Sequence, residues 1–138
     1  MTRLITVAAA QLGPIEREES KTSVVKRMTD MMRHAHSRGA RLVVFPEMAL
    51  TTFFPRWYIE DEAELDAFYE TEMPSNETQP LFDLSKQLGV GFYLGYSEMF
   101  FDDTGKKRRF NTAILVNQQA EIVGKYRKVH LPGHATYE

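Results

Sequence analysis

Cysteine is absent from the 138 residues, which excludes a disulfide framework and most structural zinc sites. Four histidines remain as possible ligands. His34 and His36, however, stand two apart on a predicted helix and point to different faces, so the spacing argues against a metal site there. Long apolar runs are missing too: none approaches the roughly 20 residues that a helix needs to cross a bilayer. Met1-Thr2-Arg3-Leu4 lacks a signal-peptide pattern. These absences predict a cytoplasmic domain with no membrane partner. An excess of one charge sign is also lacking. Lys and Arg total 17 against 19 acids, a formal charge of -2. Basic residues are scattered apart from Lys106-Lys107-Arg108-Arg109, so nucleic acid is not an expected partner, and that short run reads as a solvated turn.

What is present suits a globular fold. The chain is 43% hydrophobic and 26% charged, and a domain near this length buries roughly 68 to 70% of its unfolded surface without a metal or disulfide staple. Leu4 to Gln11 is almost continuously apolar and ends at Gly13-Pro14, which predicts a strand buried on both faces and central in its sheet. Ser20 to Ser37 places Val24, Met28, Met31, Met32 and Ala35 at helical spacing, with Gly39 as a C-terminal stop. Arg41 to Phe45 returns to a short strand. The strand, helix, strand unit predicts two parallel neighbouring strands with a right-handed crossover.

Thr51 to Trp57 is aromatic and interrupted by Pro55, which predicts a packed loop. Acids at Glu60, Asp61, Glu62 and Glu64 open a helix running to about Tyr69. Pro80 to Leu88 makes another helix, with Leu81, Leu84 and Leu88 on one face and Gly89 at its end. The pattern then changes to strands. Val90 to Phe101, Arg108 to Val116 and Glu121 to Lys128 are joined by short polar turns, a meander. With no repeat and no linker, residues 1 to 138 read as one incomplete α/β domain.

Two charged residues stand at strand ends. Glu47 follows Leu42-Val43-Val44-Phe45-Pro46 at the carboxyl end of a predicted parallel strand, the edge where open α/β sheets place their ligands. A glutamate there also serves as a cap or a salt-bridge partner, and the position alone does not choose. Lys128 closes the last strand, where alternation puts Tyr126, Lys128 and His130 on one face and Arg127 and Val129 on the other. Near one another, Glu47 and Lys128 keep each other ionised. The plainer alternative is a surface salt bridge worth at most about 1 kcal/mol. Asn111 sits mid-strand, where an amide needs partners. Phe53, Phe54 and Trp57 either wall a pocket or pack a loop, and Tyr126 reads as buried scaffold.

Phe45-Pro46-Glu47 and Arg127-Lys128-Val129-His130-Leu131 resemble the nitrilase, or carbon-nitrogen hydrolase, superfamily. Longer strings resemble its N-carbamoyl-D-amino acid amidohydrolase branch: Ala49 to Trp57, Tyr69 to Pro74, Arg108 to Thr112 and Gly124 to His134. The resemblance runs from residue 3 to residue 138 and covers only the N-terminal part of such an enzyme. It implies the corresponding portion of a four-layer α-β-β-α sandwich, and a glutamate, lysine and cysteine triad. Glu47 matches the general base and Lys128 the amine that stabilises the oxyanion, while the cysteine has no counterpart here. Asn111, Phe53, His130 and His134 are candidates for the substrate side. The implied reaction is hydrolysis of N-carbamoyl-D-amino acids without metal or organic cofactor, and the 138 residues alone are expected to be inactive. Unpaired sheet edges predict a homo-oligomer or association with the missing C-terminal portion. A non-catalytic interaction module descended from such a hydrolase is the alternative.

Overall fold

The computed structural model describes residue 2 and residues 4 to 131. Strand β1 (Val7–Ala9) leads through helix α1 (Lys21–Ser37) to β2 (Leu42–Val44). A 3-10 turn (Phe54–Arg56), a short helix α2 (Glu62–Asp66) and α3 (Gln79–Leu88) precede the long strands β3 (Gly91–Phe101), β4 (Lys107–Val116) and β5 (Ile122–Arg127). The five strands form one sheet in sequence order, β1 and β2 parallel, β2 and β3 parallel, and the last two pairings antiparallel. The α/β architecture, the parallel β1 and β2 pair and the meander match the expectations. No described helix is long and apolar enough to cross a membrane.

Local signals account for the helices. The Ser20 hydroxyl accepts from the Ser23 N–H at the start of α1, and Gly39 follows its end with φ of 85°, a left-handed value that favours glycine. Gly89 closes α3 in the same way. Val24, Met28 and Met32 of α1 and Leu81 and Phe82 of α3 are buried against Val43, Phe92 and Leu94 of the sheet and Phe45 just beyond β2, with Phe92 meeting Phe45 and Phe82 edge to face. The opposite face carries a smaller cluster in which Met48, Phe54, Ile59, Leu65 and Tyr69 pack with Met99.

Four expectations need correction. Among the described residues β1 is an edge strand rather than a central one, and Leu4, Ile5 and Val7 are exposed; only the side of Ala8 and Ala10 meets the core. Helix α2 stops at Asp66 instead of reaching Tyr69. Tyr69 turns its ring against Phe54, and Glu70 is drawn onto β3 by hydrogen bonds from its N–H to Ser97 O and from Met99 N–H to its carbonyl, each 2.8 Å. The run Lys106 to Arg109 is not a solvated turn, because Lys107 and Arg109 begin β4 and bind Glu62 and Asp66 of α2. Tyr126 is not buried but 59% exposed.

Candidate active site

Backbone packing sets the position of Glu47. After β2 the chain stays against β3, with Phe45 N–H donating to Tyr93 O at 3.0 Å and Ala49 N–H to Gly95 O at 2.8 Å. Between these anchors the backbone crosses so closely over Gly95 that a Cβ there would lie 2.8 Å from Glu47 Cα and 3.0 Å from Pro46 O. Only glycine fits. Met48 takes a φ of 49°, a left-handed conformation that costs a non-glycine residue about 1 to 3 kcal/mol and persists where its surroundings over-determine it. Met48 is buried in the second cluster, and the turn it makes leaves the Glu47 side chain standing out from the sheet.

Two strands deliver partners to that carboxylate. Asn111, in the middle of β4, donates its Nδ2 to Glu47 Oε1 at 2.7 Å, and Lys128 donates its Nζ to the same oxygen at 2.8 Å. The backbone joins the two donors, since Lys128 N–H donates to Asn111 O at 2.8 Å. Glu47 Oε2 has no hydrogen bond among the described residues. The side chains are 55% exposed for Glu47 and 34% for Lys128. The Lys128 ammonium first and the Asn111 amide second hold the Glu47 carboxyl below its usual range, against a smaller opposing effect of burial. Among the described residues Glu47 is therefore an ionised carboxylate with one tethered oxygen and one without a hydrogen bond.

A cleft of about 250 Å³ opens beside it, lined by Leu12, Ile15, Glu47, Phe53 and Arg56 among others. Phe53 is 54% exposed in that wall, whereas Phe54 is buried and stacks on Phe68, so the aromatic loop divides between the two expected roles. His130 is exposed. His134 lies outside the described residues. The structure thus brings Glu47, Asn111 and Lys128 into direct contact and puts Phe53 on the same cleft.

Sequence reasoning missed a second carboxylate. Glu98 lies on β3 on the face of Phe92, Leu94 and Tyr96, with its side chain only 8% exposed. Arg127 grips it through Nε to Oε2 at 2.9 Å and through the terminal nitrogen to Oε1 at 2.8 Å. Thr112 donates to Oε2 at 2.7 Å, and Lys125 to Oε1. Burial pushes the Glu98 carboxyl up, but the bonds from Arg127, Lys125 and Thr112 outweigh it and hold the group at about 2. Burial and the adjacent Glu98 charge raise the Tyr96 phenol. A charge in register with three apolar residues of a strand demands a partner, and that signal could have found Glu98. Gly95 carried a signal of its own, since a glycine inside a strand marks close backbone approach.

The described geometry has counterparts in known proteins. The chain is 27% identical over 123 residues to omega-amidase NIT2 of Homo sapiens, a stretch covering 86% of this chain and 40% of that protein. It is 25% identical over 138 residues to N-carbamoylputrescine amidase of Solanum lycopersicum, covering 99% and 42%. It therefore spans less than half the length of these curated relatives. The fold superposes on Nit3 of Saccharomyces cerevisiae, a member of the nitrilase superfamily, with a TM-score of 0.71 at 23% identity, covering 91% of this chain and 44% of that one. The carbon-nitrogen hydrolase family matches residues 6 to 138, and the chain belongs to that family.

Proposed function

We infer that these residues supply the base and the oxyanion-stabilising amine of an amidohydrolase that cleaves N-carbamoyl-D-amino acids. The observation that carries the reading is the shared oxygen of Glu47: Lys128 and Asn111 both bind Oε1, while Oε2 has no hydrogen bond among the described residues and Glu47 lines the cleft. Family membership supports C–N bond hydrolysis, and one relative is by name an amidase of a carbamoyl compound. The D-carbamoyl assignment is supported by the longer strings of sequence described above.

A cysteine thiol from outside these 138 residues serves as nucleophile. Glu47 takes the thiol proton at Oε2, and the thiolate attacks the carbamoyl carbon. Lys128 Nζ, already charged, stabilises the negative oxygen of the tetrahedral stage, a contribution worth about 10²- to 10³-fold per donor in comparable sites. Collapse breaks the bond from the carbamoyl carbon to the amino-acid nitrogen, which takes the thiol proton back from Glu47 as it leaves, and a carbamoyl thioester remains on sulfur. Glu47, again ionised, draws a proton from water as it attacks that thioester and passes it to the sulfur as the C–S bond breaks, and the released carbamic acid decomposes to ammonia and carbon dioxide. The sum is substrate plus one water giving D-amino acid, ammonia and carbon dioxide. The portion bearing the thiol covers the exposed face that carries Tyr93, Leu115 and Tyr126.

The test is ammonia release from an N-carbamoyl-D-amino acid and its L enantiomer by the thiol-bearing protein and by its Glu47→Gln variant. We expect turnover of the D form and a loss of about 10²- to 10⁴-fold in the variant. Wild-type rates for Glu47→Gln, or preference for the L form, would overturn the reading. The 138 residues alone should release no ammonia.

A further inference from the structure

Glu98 takes no part in the chemistry just described, and its surroundings say why. It accepts four hydrogen bonds, two on each oxygen, which fills the acceptor capacity of a carboxylate. It is buried, and it faces the side of the sheet opposite Glu47. No oxygen is left for a substrate or for a proton in transit. The strongest of its partners, Arg127, is also the residue next to Lys128.

Arg127 is fixed on three sides. The bidentate fork to Glu98 sets the plane of its guanidinium, the Phe110 ring centroid lies 4.0 Å from its central carbon and the Phe100 centroid 4.9 Å. Glu98 and Phe100 belong to β3, Phe110 to β4. The end of β5 is thus locked to both neighbouring strands from the helix side, while Lys128 N–H is locked to Asn111 O. Adjacent Cα atoms are 3.8 Å apart across a planar peptide, so a fixed Arg127 leaves the Lys128 backbone little freedom.

We propose that the Glu98 and Arg127 pair is a positioning device that aims the Lys128 amine at Glu47 from the far side of the sheet. The proposal rests on the role given to Lys128 under Proposed function. Arg127 and Glu98 are positioning residues; neither touches the reacting atoms. Lys125 adds charge to the same carboxylate from a more exposed position and contributes less.

The discriminating variant is Arg127→Lys in the thiol-bearing protein. It keeps a positive partner for Glu98, so the fold should persist, but it removes the fork and the stacking between the rings. We expect kcat to fall about 10- to 100-fold, as for other displacements on the order of 1 Å near a reacting group, with KM changed less than about twofold. A crystal structure of the variant should show Lys128 Nζ withdrawn from Glu47 Oε1. Should Arg127→Lys fail to fold, Thr112→Val, which removes one donor from Glu98, should show the same split at smaller size.

Unchanged kcat in the folded variant, or a loss confined to KM or to thermal stability, overturns the positioning role and leaves the Glu47 and Lys128 reading intact. Failure of that underlying reading looks different: Lys128→Met then retains wild-type kcat whatever Arg127 does.

Discussion

Glu47 and Glu98 are held by the same two strands on opposite sides of one sheet, and they differ in what they have left over. On one face, Asn111 of β4 and Lys128 at the end of β5 bind Glu47; on the other, Thr112 of β4 and Arg127 of β5 bind Glu98. Alternation along each strand makes the two sites near-reflections of each other. Glu47 is exposed, spends one oxygen and keeps the other. Glu98 is buried and spends both. A carboxylate with a spare lone pair in an open cleft can carry a proton, whereas a saturated one can only hold structure. Burial and satisfaction, rather than residue type, separate the two carboxylates.

The comparison breaks most sharply in activity. Glu47→Gln should reduce kcat/KM by about 10²- to 10⁴-fold and cost less stability than the loss of Glu98, whose ion pairs are the more buried. Parallel rate assays and urea unfolding would check both halves. A large stability loss in this variant would erase the distinction between the two sites.

Glu98→Leu should cost stability as well as the positioning of Lys128. Removing the carboxylate strands Arg127 and Lys125 beside an apolar face. The drop of the Glu98 carboxyl from 4.5 to about 2 corresponds to on the order of 3 kcal/mol. The sign follows from the depressed value: the stabilisation is present above the unfolded carboxyl range and is lost as pH falls through about 2. The gap between wild type and Glu98→Leu in urea unfolding should therefore be full at neutral pH and should close below pH 4.5. A gap that stays constant with pH would mean that packing, not the charged network, accounts for the loss.

Much of this organisation was legible in the chain, and the rest was hidden for identifiable reasons. Ser20, Gly39 and Gly89 are local signals, and they place the ends of α1 and α3 within a residue or so. The runs between Val90 and Lys128, divided by short polar turns, likewise announce β3 to β5. What failed depended on partners distant in sequence. The length of α2 is set by Tyr69 packing on Phe54 and by Glu70 joining β3, neither visible in the run of acids. The basic run at 106 to 109 looked solvated because its partners, Glu62 and Asp66, lie some forty residues earlier. Strand β1 looked central because apolar content reports what a segment can bury, not which neighbour is at hand. At the site, Glu47 and Lys128 were legible as a candidate pair, but that Lys128 and Asn111 meet at one oxygen of Glu47 is a property of the β4 and β5 register.

Gly95 tests how the fold delivers Glu47 to its donors. In Gly95→Ala the added carbon meets backbone on the strand-to-loop crossing, where no side chain can swing aside. Overpacking of this kind costs typically about 1 to 3 kcal/mol. The Glu47 backbone must move, so kcat should fall by about tenfold or more even at temperatures where the variant is fully folded. Full activity in the folded variant would show that the close approach at Gly95 is incidental to the site.

The smallest effect, and the most specific, belongs to Asn111. Its amide is the lesser of the two donors that hold the Glu47 carboxyl below its usual range. Asn111→Ala removes that hydrogen bond and leaves Lys128, so the carboxyl should move partway back up and stay ionised at neutral pH. At neutral pH the loss then reflects positioning alone, about fivefold for a partly exposed hydrogen bond to a charged group. At acidic pH protonation of the base adds to it, and the acid limb of the kcat/KM profile should shift to higher pH. A uniform loss across the profile would mean that Asn111 orients Glu47 without tuning it. An unchanged profile and rate would remove Asn111 from the site and leave Lys128 as the sole partner of the tethered oxygen.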